Sequence, residues 1–327
     1  MKRRTALAAL GGAAIATSSA ILSSPLRNQT KFPRAIAKKK PVSPEFFGLN
    51  VGMELSLSSL RLELLEVYQK LETRWLRVWY NWADIEPQKG NYQGSSVRAA
   101  LQLAKERGFR ILFVVWGTPR HAGSGKLGAI PQTTALTNYC SWLQANLGDL
   151  VDAWEIGNET NLEKYYAGSP ADYVRTLATA YQVFQGQGLV IAAGASGAAK
   201  PSYWQALIDG GLEQYCDRVN LHPYRHQPQQ VVRLVDNFLQ QVKKPIWITE
   251  LGISTDVGGE QAKADFVTSV VPLLTSRVEQ LFWYRGVQGA GLHPLRFGLV
   301  VGDRASKTVT PLPAYHAYAN QARKHRF

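Results

Sequence analysis

The chain has few cysteines and, beyond its first two dozen residues, no long apolar run. Only Cys140 and Cys216 occur among its 327 residues, which is too few for a disulfide scaffold. Because they fall in separate predicted elements, we expect two free, buried thiols. No segment of the body approaches the roughly 20 apolar residues that a transmembrane helix needs, so none is predicted there.

Several motifs of other enzyme classes are also absent. The sequence contains no P-loop and no G-x-S-x-G nucleophile elbow. His222 and His226 have the H-x-x-x-H spacing of zinc sites, but Pro223 and Pro228 disfavour the helix that would align them. We therefore predict neither a metal nor a cofactor.

Positive charge is concentrated at the amino terminus. Residues 1–40 contain nine of the 37 Lys and Arg residues and none of the 24 Asp and Glu residues. The rest of the chain is only mildly basic and has no dense basic stripe interleaved with aromatic residues. Nucleic-acid binding is not expected.

The same residues 1–40 have the pattern of an export signal followed by a basic linker. Lys2-Arg3-Arg4 precedes a mild apolar run that ends near Leu22. The run resembles a twin-arginine signal, although Ala6 stands where that signal prefers Phe. We expect a periplasmic or extracellular protein without stable membrane insertion after processing. An uncleaved anchor or a disordered tail is the alternative.

Residues 41–327 alternate between strand-like and helix-like segments, which predicts parallel strands joined by helices. No G-x-G-x-x-G turn follows the first strand, so a closed (β/α)8 TIM barrel forming one catalytic domain is favoured over a doubly wound sheet. The predicted strands are Phe46–Val51, Trp75–Tyr80, Ile111–Trp116, Val151–Gly157, Leu189–Gly194, Asp217–His222, Pro245–Glu250 and Gln280–Tyr284. The predicted helices are Ser56–Leu71, Ser95–Arg107, Leu136–Leu147, Pro170–Gln185, Tyr203–Asp209, Gln229–Val242, Gln261–Thr275 and Leu312–Arg323.

Two of these strands lead to glutamates. Glu159 follows the fourth strand in W-E-I-G-N-E-T, and Glu250 ends the seventh in P-I-W-I-T-E. Active sites of such barrels lie at the carboxyl ends of the strands, so both carboxylates are expected at one mouth. Glycosidic bond hydrolysis requires such a carboxyl pair. A pair of surface carboxylates is the alternative.

Several motifs together resemble the clan A glycoside hydrolases, which are retaining (β/α)8 enzymes. They are Asn158-Glu159, His222-Pro223-Tyr224, Glu250, Trp283 and the R-x-x-x-x-W-x-x-I-E-P-x-x-G-x-Y segment from Arg77 to Tyr92. The resemblance covers roughly residues 45–323, and families 39 and 5 are the most similar. It implies that Glu159 is the acid/base and Glu250 the nucleophile.

The resemblance and the strand positions also suggest substrate-binding residues. Asn158 would contact a sugar 2-hydroxyl, and Tyr224 would donate to Glu250. Arg77 is the expected cation beside Glu250, unless it bridges Asp84 or Glu86.

The remaining candidates each have a structural alternative. His222 would hold a sugar hydroxyl or set Glu159, or it is a core histidine. Trp283 would form the floor under the reacting ring, or it packs inside the protein. Trp116 and His121 are candidate further contacts. Glu155 shares strand parity with Glu159 and is expected to pair with a buried base.

The predicted function is retaining hydrolysis of O-glycosyl bonds in β-linked oligo- or polysaccharides by a monomer. One alternative is a glycan-binding barrel without activity, which would not need both glutamates. The other is a transglycosylase, which uses the same residues.

Overall fold

Eight parallel strands, each but the last followed by a helical connection to the next strand, form the centre of the protein. The computed structural model describes residues 45–52, 54–57, 59–126, 128–288 and 296–325. The predicted export signal of residues 1–40 lies outside the described residues. The barrel strands are β1 Phe47–Asn50, β2 Trp75–Asn81, β3 Arg110–Trp116, β4 Ala153–Ile156, β5 Leu189–Ala192 with its continuation Ala195–Ser196, β6 Val219–His222, β7 Ile246–Leu251 and β8 Gln280–Trp283.

Helices connect these strands and pack around them. None of the helices in the described residues is long and apolar enough to span a bilayer. The α-helices are α1 Glu54–Leu57, α2 Arg61–Lys70, α3 Trp82–Ile85, α4 Ser95–Glu106, α5 Thr133–Leu147, α6 Pro170–Phe184, α7 Pro201–Asp209, α8 Pro228–Leu239, α9 Gly259–Leu274 and α10 Pro313–Lys324. Single 3₁₀ turns occur at Arg120–Ala122 and Leu212–Gln214.

Strand pairing closes the sheet into a barrel. Each strand pairs in parallel with the next, and β1 pairs with β8. The two pieces of β5 pair with β4 and β6 respectively, so the ring closes through this strand. The predicted (β/α)8 barrel is confirmed.

Two local features differ from the sequence-based expectations. The predicted helix Ser56–Leu71 is divided into α1 and α2, and Leu60 before α2 has non-helical dihedrals (φ −96°, ψ 13°). A small sheet of β9 Val287–Gln288, β10 Val300–Asp303 and β11 Thr308–Pro311 follows the barrel and was not predicted.

Side-chain alternation along the strands divides the barrel interior into layers. The lower layer is an apolar cluster, and a step of two residues along a strand leads from it to the polar residues above. On the interior face of β2 the residue above Trp75 is therefore Arg77, and on that of β7 the residue above Trp247 is Thr249. The cluster consists of Trp75, Leu112, Ala153, Ile191, Trp247 and Phe282.

The two cysteines lie outside these interior layers, Cys140 on α5 and Cys216 just before β6. Both are buried and free, as predicted.

Candidate active site

The two predicted catalytic glutamates face each other at the mouth of the barrel. One carboxylate oxygen of Glu159 and one of Glu250 lie within 4.8 Å of each other. Their side chains retain 13% and 10% of their exposure, respectively. Both carboxylates are therefore adjacent and still reachable from solvent.

Glu159 is presented by a short turn of unusual backbone conformation. After β4 the chain turns at Gly157 with φ +88°, and Glu159 itself has φ +40°. The left-handed region costs a non-glycine residue on the order of 1 kcal/mol, and such strain is concentrated at functional sites. The turn is anchored by Tyr173 of α6, whose hydroxyl donates to the carbonyl of Ile156 at 2.8 Å.

Glu250 reaches the site through an irregularity in β7. Adjacent residues of a regular strand point to opposite faces, yet Thr249 and Glu250 both contact the interior polar cluster. The pairing of β7 with β8 shifts register between Ile248 and Leu251. Such bulges re-aim side chains beside active sites, so the irregularity explains how consecutive residues share one cavity.

Arg77 occupies the centre of the site and is 1% exposed. Its Nε and Nη2 donate to the two oxygens of Glu155 at 2.7 and 2.9 Å. Its Nη1 donates to Glu250 Oε1 at 2.5 Å. Arg77 therefore pairs with Glu155 and Glu250, as expected for the cation beside Glu250, and not with Asp84 or Glu86.

These charges set the protonation state of Glu250. Burial by itself would raise the pKa of Glu250, but the charges of His222 and Arg77 and the Tyr224 hydrogen bond outweigh it and lower that pKa. Burial likewise opposes the charged form of Arg77, while Glu155 and Glu250 hold its pKa above the ordinary value. Glu250 is thus kept as a carboxylate.

The partners of Glu155 are buried polar side chains of neighbouring strands. Asn220 Nδ2 donates to Glu155 Oε1 at 3.0 Å, and Thr249 Oγ1 donates to the same oxygen at 3.1 Å. Asn50 Oδ1 accepts from Arg77 at 2.8 Å. Glu155 is fully buried, and its pairing with a base confirms the structural role predicted for it.

His222 and Tyr224 extend from the end of β6 to the two glutamates. The imidazole is fully buried, with Nδ1 3.4 Å from Glu159 Oε1 and 3.8 Å from Glu250 Oε2. The Tyr224 hydroxyl donates to Glu250 Oε2 at 2.9 Å. The expected Tyr224 contact is therefore present, and His222 is a buried histidine that also adjoins Glu159.

Asn158 lies beside Glu159 and is 8% exposed. Its Oδ1 accepts from Arg77 Nη2 at 2.9 Å, which orients the amide. Only the amide N–H groups then remain to donate to a ligand, as the predicted contact with a sugar hydroxyl requires.

Three aromatic side chains form a cluster around Trp116. Trp116 at the end of β3 is half-buried, with its ring 5.2 Å from Trp79 and 6.2 Å from Tyr165. Burial and, secondarily, the charges of Glu159 and Glu250 raise the pKa of Tyr165. Trp116 is thus part of an aromatic cluster with Trp79 and Tyr165.

The prediction that Trp283 forms the floor of the site is wrong. Its side chain is fully buried and packs between Phe266 of α9 and Tyr318 of α10, outside the barrel. Strand alternation is the reason, because Phe282 faces the interior and Trp283 therefore faces the helices. Tyr284 is two residues beyond Phe282, so strand alternation directs it to the interior face. Burial and the charge of Glu250 raise the pKa of Tyr284.

His121 has a different partner from the one expected. Its Nε2 lies 3.5 Å from Glu86 Oε1, and among the described residues no contact joins it to the glutamate pair. Glu86 in turn accepts from Trp82 Nε1 at 2.6 Å and from the amide of Gly90 at 2.7 Å. These contacts fix the loop after β2.

Glu159, His222 and Glu250 are the three residues here that could offer ligands to a metal ion. The guanidinium of Arg77 already lies 2.5 Å from Glu250, and this fixed positive charge opposes a second cation. His226, the other histidine of the H-x-x-x-H pair, is exposed.

Several site residues were not singled out from the sequence. Asn50, Asn220 and Thr249 are polar residues within apolar strands, and this is the signal that could have identified them. Tyr284 could have been found by extending the strand alternation from Phe282.

Known proteins with a similar sequence or fold agree with this geometry. A (β/α)8 barrel with two adjacent carboxylates at its mouth has the architecture of a glycoside hydrolase. The sequence model of the family "Glycosyl hydrolase catalytic core" matches residues 75–294. The chain belongs to this family and is a glycosidase. No curated protein sequence matches it.

Solved structures of clan A enzymes share the fold. A family 39 glycoside hydrolase from Bacteroides cellulosilyticus WH2 has a TM-score of 0.69 and 18% identity, over 85% of this chain and 63% of that chain. A GH5_18 protein from Streptomyces cattleya in complex with GlcNAc has a TM-score of 0.68 and 16% identity, over 86% and 80%. The family 1 β-glucosidase from Thermotoga maritima has a TM-score of 0.69 and 13% identity, over 89% and 100%.

These neighbours confirm the resemblance to clan A noted above. The protein spans less than two thirds of the length of the family 39 enzyme. At these identities the likeness concerns the fold.

Replacing Arg77 by Met should lower stability and change the pH profile. The free energy of unfolding should fall by about 3–5 kcal/mol, because Glu155 and Glu250 would remain buried without their cation. The pKa of Glu250 should rise, which moves the acidic limb of the kcat/KM profile to higher pH. Denaturant unfolding and pH–rate measurements test both effects.

The matched control is Arg98→Met, which breaks an exposed ion pair with Asp149. It should leave the unfolding midpoint and the profile nearly unchanged. An acidic limb that does not move in Arg77→Met would refute the electrostatic coupling between Arg77 and Glu250.

Proposed function

We propose that the protein hydrolyses O-glycosyl bonds of β-linked oligo- or polysaccharides by double displacement, with retention of anomeric configuration. The observation that carries this proposal is the oxygen separation of at most 4.8 Å between Glu159 and Glu250. Retaining enzymes hold their carboxyl groups about 5–5.5 Å apart, whereas inverting enzymes need about 6.5–9.5 Å to admit a water.

The electrostatics of the pair support an assignment of roles. Glu250 is held as a carboxylate by Arg77 and Tyr224, which suits the nucleophile. Glu159 has no contact with Arg77 among the described residues and adjoins His222 instead. It is therefore the better proton donor.

The reaction proceeds in two steps. In the first, Glu250 attacks the anomeric carbon while Glu159 protonates the glycosidic oxygen, so the leaving group departs as an alcohol. In the second, Glu159 removes a proton from water, which attacks the anomeric carbon and releases Glu250. Asn158 would donate to the 2-hydroxyl of the sugar, a contact that tightens in the transition state.

Two further parts of the proposal concern substrate and location. The family 1 neighbour is named as a β-glucosidase, which favours β-linked sugars as substrates. The partly exposed aromatic cluster of Trp79, Trp116 and Tyr165 offers faces on which sugar rings can stack. Residues 1–40 are proposed to direct export to the periplasm or beyond.

The nucleophile is tested with Glu250→Ala. This variant should lose activity on aryl β-glycosides by several orders of magnitude, because no glycosyl-enzyme intermediate can form. Azide should restore turnover and give a glycosyl azide of inverted configuration, as judged by NMR of the product.

The control for this experiment is Glu163→Ala, since Glu163 is an exposed residue of the loop after β4. It should retain activity. Full activity in Glu250→Ala would overturn the assignment of the nucleophile.

The acid/base is tested with Glu159→Gln on substrates of different leaving-group ability. Substrates with poor leaving groups should lose about 10²–10⁴-fold in kcat/KM, since they need protonation. Substrates with activated leaving groups should be affected far less. Equal losses for both classes would contradict the role of Glu159.

A further inference from the structure

His222 connects the two proposed catalytic carboxylates to a buried threonine. Its Nδ1 faces Glu159 and Glu250, and its Nε2 lies 2.9 Å from Thr249 Oγ1. The tautomer of the imidazole is decided by which of these neighbours supplies a proton and which accepts one.

The hydrogen bonds around Thr249 settle this question. The backbone N–H of Thr249 donates to Asn220 Oδ1 at 3.2 Å, which orients the amide so that Nδ2 donates to Thr249 Oγ1 at 2.7 Å. The hydroxyl has one proton, and it is donated to Glu155 Oε1 at 3.1 Å. A carboxylate held by Arg77 can only accept, so this proton is not available to His222.

The Nε2 of His222 must therefore be the donor to Thr249. When the ring is neutral, its Nδ1 then has a lone pair directed toward Glu159, and a proton at this contact is bound to the carboxyl group. When the ring is charged, the proton at this contact is bound to Nδ1, which donates it to Glu159 Oε1.

The backbone of β5 fixes the position of the ring. A Cβ at Gly194 would lie 2.4 Å from both Cδ2 and Nε2 of His222. The imidazole thus packs directly on the chain at the gap between the two pieces of β5, where any side chain would displace it.

We propose that Thr249 is a positioning residue that holds His222 as the Nε2–H tautomer, so that Glu159 and His222 share one proton during catalysis. This inference rests on the proposed function and extends it. Thr249 touches no reacting atom and acts through His222.

The proton balance of the cycle is simple in this arrangement. In the first step the shared proton passes through Glu159 to the glycosidic oxygen as the C–O bond breaks, which leaves His222 neutral and Glu159 ionised. In the second step the proton removed from water returns to Glu159, where Nδ1 of His222 can accept a hydrogen bond from it.

The charges around His222 stabilise a proton at the contact between Nδ1 and Glu159. Burial opposes the charged imidazole, but the carboxylates of Glu250 and Glu159 outweigh it and the opposing charge of Arg77, so the pKa of His222 is raised. Two other titratable groups near the ring have partners of their own. Glu155 accepts a hydrogen bond from Thr249, and Tyr224 donates one to Glu250.

The test compares Thr249→Val with Thr249→Ser in the full-length enzyme. Valine removes the acceptor of Nε2–H, so the ring can change to the Nδ1–H tautomer, which donates to ionised Glu159. The ionised carboxylate of Glu159 then gains a hydrogen bond that the Nε2–H ring does not provide. We expect the basic limb of the kcat/KM profile to move to lower pH and poor leaving groups to lose about tenfold or more.

Activated leaving groups should lose much less in Thr249→Val, and Thr249→Ser should restore wild-type behaviour. The control is Thr73→Val, which removes another buried threonine hydroxyl, bonded to the carbonyl of Phe47 at 2.7 Å. It should alter stability only. If Thr249→Val loses activity on both substrate classes equally, or if its basic limb is unchanged, the inference is wrong.

Nitrogen NMR of the histidine rings tests the tautomer in the unmodified enzyme and does not depend on the folding of a variant. The ring signals of His222 are assigned as those that are missing from the spectrum of His222→Gln. In the unmodified enzyme they should show a protonated Nε2 at a pH where the ring is neutral. A protonated Nδ1 would overturn the inference while leaving the glycosidase proposal intact. If the glycosidase proposal itself were wrong, Glu250→Ala would instead keep full activity.

Discussion

The shared guanidinium of Arg77 is the interaction on which the rest of the site depends. It is 1% exposed and lies between Glu155 and Glu250. An uncompensated charge at this depth would cost several kcal/mol. Removal of any one of the three residues would therefore leave a buried charge without its partner. Arg77 and Glu155 together are neutral, and the remaining negative charge belongs to Glu250. The cation therefore stabilises the barrel interior and keeps Glu250, the proposed nucleophile, ionised at the same time.

The layered interior makes this arrangement rigid. The aromatic and aliphatic side chains around Trp75, Trp247 and Phe282 fill the lower barrel, and the polar residues above them are bound to one another across neighbouring strands. A preorganised polar environment needs little rearrangement when charge develops in the transition state. The two glutamates stand on this base with part of their surface open to solvent, which is where a sugar ring can enter.

Much of this could be predicted from the sequence, because alternating patterns and strand ends are local signals. The eight strands, the pairing of Arg77 with a carboxylate and the convergence of Glu159 with Glu250 all follow from positions along strands. The error at Trp283 arose from a motif resemblance that overrode strand parity. The bulge in β7 and the turn at Glu159 could not be predicted, because register shifts and positive φ angles depend on packing between strands distant in the chain.

The bulge also explains how two chemically different tasks are coupled. Thr249 and Glu250 are adjacent on β7, yet Thr249 binds His222 beside the proposed acid/base, and Glu250 is the proposed nucleophile. Glu155 is the common partner, since it accepts from Thr249 and shares Arg77 with Glu250. A change of charge on either glutamate is therefore felt by the other through hydrogen bonds as well as through space. In a regular strand one of these two adjacent side chains would face the helices, and this connection between Glu159 and Glu250 would be lost.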